Sequence, residues 1–228
     1  MSGTAQLIPK LQDGLEAHDG YLGSLLTKLN SLWVAATYPF AKRGRHVKFH
    51  YASEISREVT SRIRFGNRVE VGKHAWITCG TDEGPEVKVT IEDDCRIGPR
   101  CTISCKNSIH LERGVVLAPD VLIQDHAHAY EDVSRPIMVQ GPTPGGKIRI
   151  GEGCRIGQGA AITAGRGELV LGANCVVAPE AVVIRSFPPN STISGNPARA
   201  TPQSDLATAS AVPGAAPNPQ EELAKQNC

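Results

Sequence analysis

Aromatic side chains are scarce: Phe, Trp and Tyr together make up 4% of the 228 residues. A core without rings needs many aliphatic side chains and small fillers, and the 40% apolar content supplies them for one domain. Excess charge is also missing. The 24 basic residues nearly balance the 23 acidic ones, so there is no electrostatic footprint for nucleic acid. No run of about 18 apolar residues exists to span a membrane. The N-terminus lacks the basic region and apolar run of a secretory signal, so a cytoplasmic protein is expected. None of the seven cysteines falls in a C-x-x-C pair, and no His/Cys cluster has zinc-like spacing.

What the chain does have is regularity. From about residue 65 aliphatic residues return every six positions, often followed by glycine: "FGNRVE VGKHAW ITCGTD", "IEDDCR IGPRCT ISCKNS", "LERGVV LAPDVL IQDH". The pattern resumes as "IGEGCR IGQGAA ITAG" and "LGANCV VAPEAV VIRSF". A period of six is neither helical nor a plain alternating strand. The fifth position of the blocks is usually small or β-branched, and Cys95, Cys101, Cys154 and Cys175 all occupy it. These cysteines read as interior fillers. A repeat this short cannot bury its own apolar face, so stacked repeats form a solenoid. Three blocks per turn make a triangular prism, with the second-position glycines expected at turns that need unusual dihedrals.

The flanks differ. Leu11, Leu15, Leu22, Leu25, Leu26, Leu29, Leu32 and Trp33 recur at mostly helical spacing. They predict a helix or helix pair within residues 1–44 that packs on the coil or caps its open end, with docking on a membrane surface as the alternative. The solenoid is expected over residues 45–200. Residues 201–228, rich in Pro, Ala, Ser and Gln, read as a disordered tail.

One segment breaks the repeat. Between 124 and 146 the period is lost, Pro136, Pro142 and Pro144 appear, and "QDHAHAYED" sets His126 and His128 among Asp125, Glu131 and Asp132. A long loop on a rigid scaffold is where binding and catalytic groups are carried. Two histidines with carboxylates suit acid–base chemistry, a metal site, or an exposed loop, and a metal site needs further ligands. The nearest upstream histidines are His110 and His74.

Taken together, the repeat, "IQDHAH…RPIMVQG…KIRIG" and the closing "IRSFPPNSTISGNPARA" resemble the hexapeptide-repeat acyltransferases. The similarity is to the sugar and polysaccharide O-acetyltransferase branch that includes the maltose and galactoside enzymes. The resemblance implies an all-β solenoid, a left-handed parallel β-helix. It also implies acetyl-CoA as donor, a sugar hydroxyl as acceptor and a homotrimer with sites between adjacent prisms. A lipid-linked sugar acceptor, and peripheral membrane contact through the N-terminal helices, are compatible with it. No metal is expected: the zinc carbonic anhydrases of the same fold need three converging histidines, one pair five residues apart, a spacing absent here.

By position His126 matches the family's catalytic histidine, with His128 next. A base near neutral pKa would take the acceptor proton while the thioester sulfur leaves. Asp125, Glu131 or Asp132 would orient the imidazole. The resemblance assigns coenzyme A binding to Arg155, Gly157, Pro179, Arg185, Asn196 and Arg199, with Arg199 on the nucleotide phosphates. Arg155 stands where relatives carry tryptophan, and Pro179 removes a backbone N–H that relatives offer the pantetheine arm. N-acetylation of an amino sugar, and a catalytically silent β-helix used for assembly or binding, are the alternatives.

Overall fold

The computed structural model describes residues 20–80 and 87–202. The upstream leucines, Leu11 and Leu15, and most of the tail lie outside the described residues. A helix, α1 (Gly20–Thr37), leads into six triangular coils, each contributing one strand to each of three parallel sheets. Sheet A stacks β1 (Lys42–Arg43), β4 (Ile63–Phe65), β7 (Val89–Ile91), β10 (Ser108–Leu111), β13 (Gly145–Ile150) and β16 (Arg166–Leu171). Sheet B stacks β2 (Lys48–Phe49), β5 (Glu70–Val71), β8 (Arg96–Ile97), β11 (Val116–Leu117), β14 (Arg155–Ile156) and β17 (Val176–Val177). An antiparallel hairpin of β19 (Ser191–Gly195) and β20 (Ala198–Pro202) closes it. Sheet C stacks β3 (Glu54–Ile55), β6 (Trp76–Cys79), β9 (Thr102–Cys105), β12 (Leu122–Gln124), β15 (Ala161–Thr163) and β18 (Val182–Val183).

The six-residue blocks map onto this prism one face at a time. Identical positions stack in register, as Val71, Ile97, Leu117, Ile156, Val177 and Ile193 do up sheet B. Each such aliphatic is at most 3% exposed, and full burial stabilises by about 1.5–3 kcal/mol per side chain. The fifth-position fillers, Cys95, Cys101, Cys154 and Cys175 among them, are buried as the repeat requires. Burial pushes the Cys95 and Cys154 thiols up to about 12, which makes them poor nucleophiles.

The second-position glycines serve a different purpose from the one expected. Gly98 and Gly157 do not adopt positive φ. A Cβ on Gly157 would meet the nitrogen of Pro179 at 2.5 Å, and one on Gly98 would meet the carbonyl carbon of Ala118 at 2.6 Å. These glycines let successive coils approach. The left-handed conformation falls two residues later, at His74, Arg100, Asp120, Gly159 and Glu180 between sheets B and C. A matching column of Arg68, Asp94, Gly114, Gly153 and Asn174 runs between sheets A and B. Stacked corner residues also pair: Arg68 grips Asp94 at 2.5 and 2.7 Å, and Arg100 grips Asp120 at 2.6 and 2.7 Å. Glycine is therefore not obligatory at those corners.

The third edge, from sheet C to sheet A, is irregular. Among the described residues it carries a 3₁₀ turn (Arg57–Arg62) and the long loop between β12 and β13.

The helix also departs from expectation. Val34 joins the core and Tyr38 and Phe40 pack against it, with Phe40 stacked on Phe49 at 5.6 Å, but the leucines of α1 face away from the coil. Polar groups hold the helix down instead: Asn30 Nδ2 donates to the carbonyls of Phe49 and His50, and Ser31 Oγ accepts from the Phe49 N–H. Among the described residues, no helix is long and apolar enough to cross a membrane.

Candidate active site

The site begins with one residue out of pattern. Up the inner edge of sheet C the filler positions read Cys79, Cys105, Asp125 and Ala164: the two cysteines are the last paired residues of β6 and β9, and Asp125 and Ala164 lie one step beyond β12 and β15. Asp125 is therefore a carboxylate at a core position, and it is fully buried. The turn after β9 satisfies it. Oδ1 accepts the Lys106 N–H at 2.6 Å, and Oδ2 accepts those of Asn107 at 2.7 Å and Ser108 at 2.9 Å. A buried carboxylate with three N–H donors is held in one orientation, since an unmatched charge there would be costly. Cys105 lies beneath, Sγ to Oδ2 3.5 Å, and burial together with this carboxylate pushes its thiol up.

The next residue uses the remaining capacity. His126 Nδ1 lies 3.0 Å from Asp125 Oδ1. With Nδ1–H donating to the carboxylate, Nε2 is left with its lone pair as a proton acceptor. The His126 side chain is 21% exposed against 0% for Asp125, so the dyad has one buried and one accessible end.

The loop that covers the dyad is built, not loose. Its two legs run antiparallel: Ala129 N–H donates to Gly141 O, Thr143 N–H to Ala127 O, and Ala127 N–H to Thr143 Oγ1. Lys106 Nζ donates to the carbonyl of Thr143, and Asn107 Nδ2 donates to Pro144 O at 2.9 Å and Gly146 O at 3.1 Å. The turn that cradles Asp125 through its backbone thus also pins the returning leg through its side chains. Gly145, at φ +76°, makes that return possible. A Cβ there would meet Asp125 O at 2.7 Å, Asn107 Nδ2 at 2.9 Å and His126 Cβ at 3.1 Å.

The structure separates the other candidate residues in the loop. His128 is exposed and bridges to Pro142 on the opposite leg. Asp132 accepts from the N–H and hydroxyl of Ser134, closing the loop's outer turn, and Glu131 is exposed. Among the three carboxylates, only Asp125 meets His126. His110 pairs with Glu92 at 2.7 Å on sheet A, and His74 sits at a corner between sheets B and C. Among the described residues no group of three His, Cys, Asp or Glu could hold a metal ion.

The donor candidates divide in two. Arg185 and Arg199, with Ile184 and Pro197, line one cleft of about 120 Å³. Arg185 is held by Ala198 O at 3.4 Å and by the ring of Phe187, 5.5 Å from its centroid. Asn196 precedes Pro197 in the β19–β20 turn, joined by a cis peptide bond. Arg155 lies instead on the outer face of sheet B, and Gly157 and Pro179 stack at the B–C corner. The Arg185 side of the cleft and the dyad share one edge, while Arg199 comes from the hairpin on sheet B. His126 follows the sheet C strand of the fourth coil and Arg185 that of the sixth, so two rungs, about 10 Å along the axis, separate them.

Comparison with known proteins agrees with this architecture. Residues 88–121 match the family model described as the hexapeptide repeat of succinyl-transferase. No curated protein matches the sequence. Among solved structures, AntD from Bacillus cereus, an N-acyltransferase in complex with dTDP and 3-hydroxybutyryl-CoA, superposes with a TM-score of 0.61 at 15% identity. That match covers 88% of this chain and 96% of AntD. A variant of AntD with dTDP and coenzyme A gives 0.61 at 16% identity, covering 80% and 92%. A further variant, with dTDP-4-amino-4,6-dideoxyglucose and coenzyme A, gives 0.61 at 15%, covering 78% and 94%. The chain shares its fold with this N-acyltransferase.

Proposed function

We propose that the protein is a coenzyme A-dependent acyltransferase that acylates an amino group on a nucleotide-linked sugar, with His126 as general base. The observation that carries the reading is the imidazole held by a buried, fully bonded Asp125 at the mouth of a structured loop. The two arginines that line the cleft suit the phosphates of the donor, since guanidinium forks bond phosphate oxygens in pairs. An amine acceptor is favoured over the hydroxyl expected from the sequence by the likeness to AntD, whose complexes hold dTDP or a dTDP-linked amino sugar beside a coenzyme A species.

In this reading the acceptor nitrogen attacks the thioester carbonyl while His126 Nε2 takes its proton. The C–N bond forms, the C–S bond breaks, and the proton passes from the imidazolium to the leaving sulfur. Asp125 stabilises the imidazolium in between. No acyl-enzyme is required, which accords with cysteines that are buried and with Cys95 and Cys154 thiols that burial pushes up. A cyclic homotrimer, as expected from the resemblance, would give each open edge a second wall from its neighbour.

The test is an acceptor panel with acetyl-CoA and longer acyl-CoA donors, read by thiol release. Release with amino-sugar nucleotides but not with their hydroxyl counterparts supports the proposal. Release with hydroxyl saccharides alone returns the O-acetyl reading that "DHAH" and "GNPAR" suggest. No release, together with no calorimetric binding of the donor, leaves a β-helix without this activity.

A further inference from the structure

Helix α1 presents its apolar side outward. Leu22, Leu25, Leu26, Leu29, Leu32 and Trp33 are each between 39% and 68% exposed, whereas Asn30, Ser31 and Val34 face the prism. Taking about 200 Å² for a fully exposed side chain of this size, the stripe amounts to roughly 600 Å² of apolar surface. That is at the upper end of the largest apolar patches that single-molecule surfaces show, about 300–600 Å², and most of the ~800 Å² that each partner buries in a stable interface.

The spacing identifies what covers it. Leu22, Leu25, Leu29 and Leu32 alternate by three and four residues, the a and d positions of two heptads, with Leu26 and Trp33 flanking at e. Such a seam is what a helix of the same kind packs against. A membrane surface fits poorly. Surface-bound helices carry Lys and Arg on the polar side, but Lys28 is the sole charged residue between 20 and 37, and the polar side is spent on Phe49 and His50.

We infer that the leucine stripe of α1 is a self-association seam, along which α1 packs in parallel against α1 of a second copy of this chain. In the cyclic assembly expected from the resemblance every copy points the same way along the axis, so the helices would run in one direction. The inference concerns assembly and does not depend on acyl transfer.

The experiment uses oxidative cross-linking of the full chain in a Cys228→Ser background, in which the six described cysteines are buried. Leu29→Cys and Leu22→Cys, at a positions, are expected to give intermolecular disulfides. Ser24→Cys, exposed but off the seam, is expected to give at least about ten-fold less, since only seam positions face their counterparts. Leu22→Glu with Leu29→Glu is expected to lower the mass in sedimentation while far-ultraviolet dichroism stays unchanged. Equal or absent cross-linking at Leu29 and Ser24 overturns the inference, as does an unchanged mass for the double Glu variant. Flotation with phosphatidylglycerol vesicles, without cross-linking at Leu29, overturns it in favour of a lipid surface.

Discussion

His126 Nδ1 lies 3.0 Å from Oδ1 of Asp125, the residue directly before it in the chain. Neighbours in sequence seldom pair through their side chains in extended backbone, because consecutive residues point to opposite sides. Here the strand ends at Gln124, Asp125 turns inward as the last filler of its coil, and the loop begins at His126. The carboxylate belongs to the core and the imidazole to the surface, joined across one peptide bond.

Replacing His126 with Ala removes the proposed proton acceptor from a partly exposed position. Turnover is expected to fall about 10²–10⁴-fold with donor affinity and melting temperature unchanged. Steady-state kinetics beside calorimetry checks this; near-normal turnover would move the base to another group.

Asn107→Ala removes the two bonds that hold Pro144 and Gly146, worth about 1 kcal/mol each. The loop 125–144 is expected to be cut faster in limited proteolysis and turnover to fall, while coenzyme A affinity holds. A uniform loss of stability without faster cleavage in the loop would show that Asn107 merely supports its own turn.

Arg199→Ala is expected to weaken coenzyme A binding by about 10- to 100-fold, the cost of one charge-assisted bond to phosphate. Titration calorimetry reads the change. If only the melting temperature drops, the residue's work is to close the coil beside Pro197 and Ala198.

Acid is expected to loosen the prism. Burial acts to raise the Glu70 carboxyl, but Lys48 at 2.8 Å and Arg96 at 3.0 Å outweigh it and hold the group below its ordinary 4.5. Glu112 is lowered in the same way: burial opposes, and Arg149 with the Glu152 N–H prevails. A carboxyl lowered by folding contributes fully above its unfolded value and loses that contribution as pH falls through the folded one. Melting temperature is therefore expected to be flat above about pH 5 and to fall below it, less steeply in Glu70→Gln. An equally steep fall in that variant would remove Glu70 from the explanation.

The coils were legible in the sequence because a stacked interior repeats its demands. Cys95, Cys101, Cys154 and Cys175 had to be small, and the structure buries all four. The role of the glycines was not legible, since period alone does not separate close stacking from a left-handed turn; Gly98 and Arg100 divide those two tasks. Among the site residues, His126 stood out by type. The choice of Asp125 over Glu131 and Asp132 depended on which side of the coil each faces. The period held that signal, because Asp125 falls where Cys79 and Cys105 precede it. Lys106 and Asn107 were missed: their contacts reach across 37 or more residues to the loop's far leg, a distance that local pattern does not encode. The helix expected to pack on the coil does so through Asn30, Ser31 and Val34, while its leucines face outward, for hydrophobic spacing locates a stripe without saying what it meets.

The irregular edge sets where such a molecule is free to change. At the B–C corner each coil rests on the next with no room for a side chain at Gly98 or Gly157, and at the A–B corner none at Gly66 or Gly151, so an added residue would lift the whole stack above it. Between sheets C and A the backbone already leaves the prism and returns, most widely from Gln124 to Gly145. If the proposed function holds, new acceptor preferences would arise by lengthening or rewriting that one border, with the rungs that support it left untouched.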